Sequence, residues 1–224
     1  LIVIVGALGA TMASNELKTT TGIFGAIMAA IFPKNVADPA AAIEQLVGFA
    51  KTARAEGLLA LEAQIGTVED PFLKRALQLA IDGSDPEAVA DVMRAEIKAM
   101  KARHKKNADW CQSMGIFAPT FGIIGAVIGL IHTMGKLDSP AELGEGIAGA
   151  FTATFWGVFA ANGIFLPLGN KLTVMSGAEI AQKRLIIEGV LSIQSGANPR
   201  LLDDMLRSSL PPSERAANDE KKSA

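Results

Sequence analysis

Apolar positions in this chain form two kinds of pattern: long runs without a charge, and stripes that recur every three or four residues. The longest charge-free runs are 115–135 and 147–169, and neither holds Asp, Glu, Lys or Arg. A helix that crosses a bilayer needs about 20 apolar residues, so both runs predict transmembrane helices. The competing reading is a pair of buried helices in a soluble protein, but two charge-free runs of this length argue against it. The first residues, LIVIVGALGATMAS, form a third run, too short to span alone. It starts without Met and without a basic region, so it does not read as a signal peptide. It predicts the end of a membrane helix that begins before Leu1.

Periodic stripes organise the rest. Val89, Met93, Ile97, Met100 and His104 follow one another at steps of four, four, three and four, which makes one face of an amphipathic helix. Asp85-Pro86 opens it with an N-cap and a proline at the first helical position. No breaker separates Pro86 from the first membrane run, so a continuous helix over 86–134 is predicted, about 73 Å long, reaching far into the cytoplasm. Asp38-Pro39 repeats the start signal, and a helix is expected to run from there through AAIEQLVGFAKTARAEGLLALEAQI. IDGSDP, 81–86, is a turn. The second membrane run is expected to continue past Lys171 to about Ser195, with Gly196 as its C-cap. The tail SERAANDEKKSA after Pro211-Pro212 is polar and predicted disordered. No stretch alternates with a sustained period of two, so strands are not predicted.

The fold class is therefore an all-α membrane protein, with long helices extending from the membrane into a helical cytoplasmic domain. Residues 1–14 end a truncated membrane helix, 15–114 form the cytoplasmic helical domain, and 115–135 is the first full span. Residues 136–146 are a periplasmic loop, 147–169 the second span, 170–210 cytoplasmic helices and 211–224 the disordered tail.

Charge sets the orientation. The net charge is −2, with 20% charged and 50% hydrophobic residues. Those averages also suit a soluble protein, so the distribution decides. The loop KLDSPAELGEG between the spans holds one of the 21 Lys and Arg residues, against three acids, Asp138, Glu142 and Glu145. Positive charge stays cytoplasmic, so the short acidic loop faces outward and both large polar segments face inward. The basic cluster KAMKARHKK, 98–106, lacks the aromatic platform or fold motif of a nucleic-acid site. It reads as a topology anchor that touches anionic membrane lipid, and no nucleic acid is expected as a partner. The single cysteine, Cys111, has no partner for a disulfide or a thiolate metal site.

Inside the spans the chemistry is sparse. An ion pathway usually shows a buried ionisable group, yet neither run offers a carboxylate, and His132, near the outer end, is the one titratable side chain. An ion-conducting assembly would need its carboxylate from another polypeptide. Small residues are plentiful instead: Gly122, Gly125, Ala126 and Gly129 in the first run, Gly157 and Ala161 in the second. They permit close helix approach, within the chain or between copies and partners. Pro119 and Pro167 each remove a helical donor and can kink their helices. FTATFWG, 151–157, carries hydroxyls into hydrocarbon at Thr152 and Thr154. No phosphate loop, nucleophile–base pair or metal spacing is present, and neither an enzyme nor a cofactor is expected.

APTFGIIGAVIGLIHTMG, 118–135, an AELG loop, and AGAFTATFWGVFAANGIFLPL, 148–168, together resemble the flagellar motor stator family of MotA and PomA. ARAEGLLALE, 53–62, and PFLKRALQLAIDG, 71–83, do so too. The similarity runs to about residue 210. The more distant TolQ/ExbB energisers share the two-span architecture, which makes a proton-motive-force energiser of outer-membrane processes the alternative reading. The resemblance implies four membrane helices in the bacterial inner membrane and a ring of five chains around two copies of MotB. Each MotB would supply one membrane aspartate, and ion flow would turn the ring against the rotor protein FliG.

The resemblance also assigns roles. Pro119 and Pro167 fall on the family's functional prolines, and Arg54 and Glu62 on its charged pair for FliG. On one ideal helix that pair would lie about 80° apart. Thr154 falls on the pore-facing threonine, with Ala153 and Thr120 placed beside it on the ion pathway. The position before that threonine carries Thr in sodium-driven stators and usually Ala in proton-driven ones, so Ala153 implies H+ as the transported ion. Thr152 points about 200° away from Thr154 on an ideal helix. A structural alternative for both hydroxyls is a bond to the carbonyl four residues back.

Overall fold

The computed structural model describes residues 2–32, 38–135 and 140–210, and among them it is all-α. The helices are α1 (Ile2–Ser14), α2 (Leu17–Ile31), α3 (Pro39–Glu56), α4 (Glu62–Ile65) and α5 (Pro71–Ile81), followed by α6 (Pro86–Met134), α7 (Pro140–Phe159), α8 (Leu166–Gln194) and α9 (Pro199–Ser208). A 3-10 turn, Leu58–Leu61, precedes α4, and a π-helical turn, Ala160–Phe165, joins α7 to α8. The expected tail, 211–224, and part of the expected loop, 136–139, lie outside the described residues.

Helix starts follow one local rule. Asp38 accepts from the Ala40 and Ala41 amides, Asp70 from Phe72, Asp85 from Glu87, and Asn198 from Arg200. Each is followed by proline at the first helical position, where a missing N–H does no harm. α8 ends as expected: Gly196 has φ 74° and its amide bonds the Ile193 carbonyl.

The described residues fall into two compact units, those within 1–34 and 102–176, and those within 35–101 and 177–210. The second unit buries Ile43 and Leu46 of α3, Leu73 and Leu77 of α5, Val89 and Met93 of α6, Ile186 and Val190 of α8, and Leu202 and Leu206 of α9. The stripe Val89, Met93, Ile97 and Met100 is buried in full. Gly189 lets α3 lie close on α8, since a Cβ there would meet Leu46 Cδ1 at 2.6 Å.

The first unit has a smaller core of Ala7, Ile23, Trp110, Cys111, Met114, Ala118 and Ala161. Its outer faces carry exposed large apolar side chains, among them Ile123, Ile131, Phe151 and Phe155. α6, and α7 together with α8, are long and apolar enough to cross a membrane. α2 was not anticipated. Its attachment is polar as well as apolar: Trp110 Nε1 donates to Thr20 Oγ1 at 3.1 Å, and Lys106 Nζ pairs with Glu16 at 2.6 Å.

Two expectations are corrected. The helix predicted from Asp38 through Ile65 breaks at Gly57, whose φ of 89° is left-handed territory that glycine alone enters freely. Of the loop expected over 136–146, residues 140–146 are helical, because Pro140 opens α7 and places Glu142 in its first turn.

Candidate functional site

The charge-free parts of α6 and α7 meet at two glycines, Gly122 of α6 and Gly157 of α7. A Cβ on Gly157 would lie 2.7 Å from the Ala118 carbonyl, 3.0 Å from Gly122 Cα and 3.3 Å from Pro119 Cα. A Cβ on Gly122 would lie 3.1 Å from the Ala153 carbonyl and 3.4 Å from Thr154 Cα. Backbone therefore packs on backbone, as small residues allow in membrane helices. This crossing gathers Pro119, Gly122, Ala153, Thr154 and Gly157, five of the residues singled out from sequence. Gly125 lies at its edge, 3.6 Å from the Ala153 methyl when a Cβ is placed on it. Gly129 does not take part, because a Cβ there meets nothing within 4 Å.

The hydroxyls have a local occupation. Thr154 Oγ1 donates to the Ala150 carbonyl at 3.2 Å, Thr152 to Ala148 at 2.8 Å and Thr120 to Ile116 at 3.1 Å. Each satisfies its hydrogen on the carbonyl four residues back. A hydroxyl that donates in this way keeps oxygen lone pairs with which to accept a further hydrogen bond. Thr152 and Thr120 are exposed, whereas Thr154 is half-buried beside the crossing.

The two prolines differ in their surroundings. Pro119 lies within α6 and leaves the Gly115 carbonyl without its usual helical donor. Pro167 follows the π-helical turn, in which the Leu166 amide bonds the Ala161 carbonyl five residues back. A widened turn relieves the clash between a proline ring and the carbonyl four residues earlier. Sequence reasoning placed both prolines but not the π turn, for which period counting has no signal.

Arg54 sits in the last turn of α3 and Glu62 opens α4, both exposed. Gly57 and the 3-10 turn separate them, so the angular spacing of one helix does not apply. The turn is held by Leu61, which is 1% exposed, and by a bond from Gln64 Nε2 to Thr52 Oγ1 at 3.2 Å. In the same unit, Lys183 of α8 reaches Asp70 with Nζ at 2.9 and 2.8 Å from the two carboxylate oxygens, and lies 5.1 Å from the centroid of the Phe72 ring. Asp70 thus caps α5 and ties it to α8. A lysine inside an amphipathic pattern gave no sequence signal of this pairing.

The basic cluster of α6 is exposed along Lys98, Lys101, Arg103, Lys105 and Lys106. Two of these charges are answered within the chain, Lys105 by Asp109 at 2.7 Å and Lys106 by Glu16. His104 Nδ1 lies 3.0 Å from Ser176 Oγ. Just before the first charge-free run, burial pushes the Cys111 thiol up to about 11.

Comparison with known proteins places this arrangement. The model of the MotA/TolQ/ExbB proton channel family matches residues 64–185. Motility protein A of Borreliella burgdorferi is 38% identical over 215 residues, covering 96% of this chain and 82% of that protein. Motility protein A of Bacillus subtilis is 38% identical over 222 residues, covering 96% and 80%. The flagellar MotAB stator complex from Bacillus subtilis superposes with a TM-score of 0.90 at 37% identity, covering 97% of this chain and 85% of that one. C. jejuni MotAB gives a TM-score of 0.90 at 34% identity, covering 95% and 83%.

Proposed function

Since the chain belongs to the MotA/TolQ/ExbB proton channel family, we propose that it is the flagellar motor stator subunit that, with a MotB-type partner, forms an ion channel and converts ion flow into torque. Similarity along nearly the whole chain to proteins named Motility protein A and to solved MotAB stators supports this reading.

One observation carries the mechanism. Neither charge-free run holds a carboxylate, yet Thr154 lies against Gly122 and Pro119 against Gly157 at a backbone-tight crossing. The MotB-type partner supplies the acidic group, an aspartate on its membrane helix, and this chain supplies the wall against which it is protonated and released. The Thr154 hydroxyl, its hydrogen engaged on Ala150, accepts a hydrogen bond from water or from the protonated carboxyl. The transported ion is H+, because Ala153 offers a methyl where a hydroxyl ligand for sodium would stand. Pro119 and the π turn before Pro167 are the points at which the two membrane helices yield.

The chain sits in the bacterial inner membrane, with the second unit and its Arg54 and Glu62 in the cytoplasm. There the two charges meet FliG, and the complete stator is a ring of five such chains. Co-expression with and without the partner tests the core of this reading. Proton influx, followed by cytoplasmic pH after an acid jump, is expected only with both chains present. It should vanish when the partner's membrane aspartate is replaced. Influx through this chain alone would overturn the assignment of the carboxylate.

A further inference from the structure

The second unit buries its large apolar residues, and among its described residues only Leu59, Val92, Leu201 and Met205 stand out as exposed. Leu59 is the most exposed of them, at 72%. It lies in the 3-10 turn between Arg54 and Glu62, at the centre of EGLLALE. Its neighbours are fixed: Leu61 is buried and Leu58 packs against the core. The left-handed Gly57, with φ 89° and ψ 165°, ends α3 and turns the chain so that the second leucine of the pair faces out. A leucine held outward on a rigid turn loses little side-chain freedom on binding, the condition for a strong anchor.

The surroundings select the kind of occupant. Its charged neighbours along the chain, Lys51, Arg54, Glu56 and Glu62, are all exposed, two charges of each sign. A neutral, mixed ring does not suit an anionic lipid surface or a nucleic acid, each of which needs net positive charge. It does suit a protein–protein contact with an apolar centre and a polar rim that keeps water out.

We propose that Leu59 is the apolar anchor of the rotor contact, inserting into a shallow apolar cleft on the rotor protein flanked by one acidic and one basic side chain. The proposal rests on the assignment of Arg54 and Glu62 to that contact. The charges steer the encounter and set its orientation, and Leu59 holds the complex together long enough for force to pass.

The test uses the full stator with its partner in membranes. Leu59→Gln, Leu59→Met, Leu201→Gln, Arg54→Glu and Glu62→Lys are compared for rotor-protein binding, motor torque, oligomer size and thermal melting. Leu59→Gln is expected to weaken rotor binding about tenfold and to lower torque, with oligomer size and melting as in the parent. Leu59→Met, still apolar and unbranched, should keep most of the binding, and Leu201→Gln should keep all of it. Intact binding in Leu59→Gln alongside lost binding in the charge variants overturns the anchor and leaves the charge contact standing. Intact binding in all of them overturns both. A smaller oligomer in Leu59→Gln overturns the proposal by showing that a second copy of this chain covers the leucine.

Discussion

Replacing Gly157 by alanine probes the crossing of α6 and α7 directly. The added Cβ would sit 2.7 Å from the Ala118 carbonyl and 3.0 Å from Gly122 Cα, where ordinary contact begins near 3.4 Å. Both obstacles are backbone, so no side chain can swing aside and the helices must part by about 0.7 Å. Overpacking of this kind costs about 1–3 kcal/mol. Against it stands the gain of about 0.5–1 kcal/mol from alanine over glycine inside a helix. The strain wins, and Gly149→Ala calibrates the gain, since a Cβ there meets nothing within 4 Å on the same helix. Thermal melting of the purified complex should fall for Gly157→Ala relative to Gly149→Ala by about 2–12 °C, at 2–4 °C per kcal/mol for a chain of this size. Proton influx should fall with it, because Thr154 and Pro119 are displaced together. Equal melting and equal influx in the two variants would refute the proposal that this close crossing frames the ion pathway.

The remaining predictions concern other links. Asp70→Asn should destabilise the second unit more than Lys183→Met. The first leaves a buried ammonium without its carboxylate, whereas the second leaves Asp70 still capping α5; losses of about 1–3 kcal/mol are expected, softened by the partial exposure of Asp70, and denaturant melts of both variants check the order. Cys111, pushed up to about 11, should hold roughly one thiolate in a thousand at pH 8; a thiol-directed alkylating label should leave the folded protein unmarked and react once it is unfolded in detergent. Gly57→Ala forces a side chain into left-handed backbone at a cost of about 1–3 kcal/mol, and should lower torque through the Leu58–Leu61 turn while Gly66→Ala, with ordinary backbone and open space, should not. Motor torque under load reads the difference.

Much of this architecture is legible in the sequence because its causes are local. Absence of charge over 115–135 and 147–169 marks the long apolar helices, and an Asx-Pro pair marks each of four helix starts. The stripe from Val89 to Met100 needed only the helical period. Other features depend on partners distant in sequence. Gly122, Gly125 and Gly129 look equivalent as small residues, yet only the structure separates the first, pressed on α7, from the last, which faces open space. The break at Gly57 has no certain sequence mark, because an isolated glycine inside an apolar helical pattern is tolerated at a cost of about 1 kcal/mol. The Lys183–Asp70 tie joins residues 113 positions apart, beyond any periodic signal. The polar attachment of α2 through Trp110 and Lys106 is long-range in the same way.

Ion dependence of the working motor tests the central claim most directly. Swimming speed is followed in cells that carry the full-length protein and its own partner, first with external sodium varied at fixed pH, then with a protonophore added. The account predicts speed that ignores sodium and collapses with the protonophore, the outcome expected from the proposed proton reading of Ala153. Speed that rises and falls with sodium would contradict it.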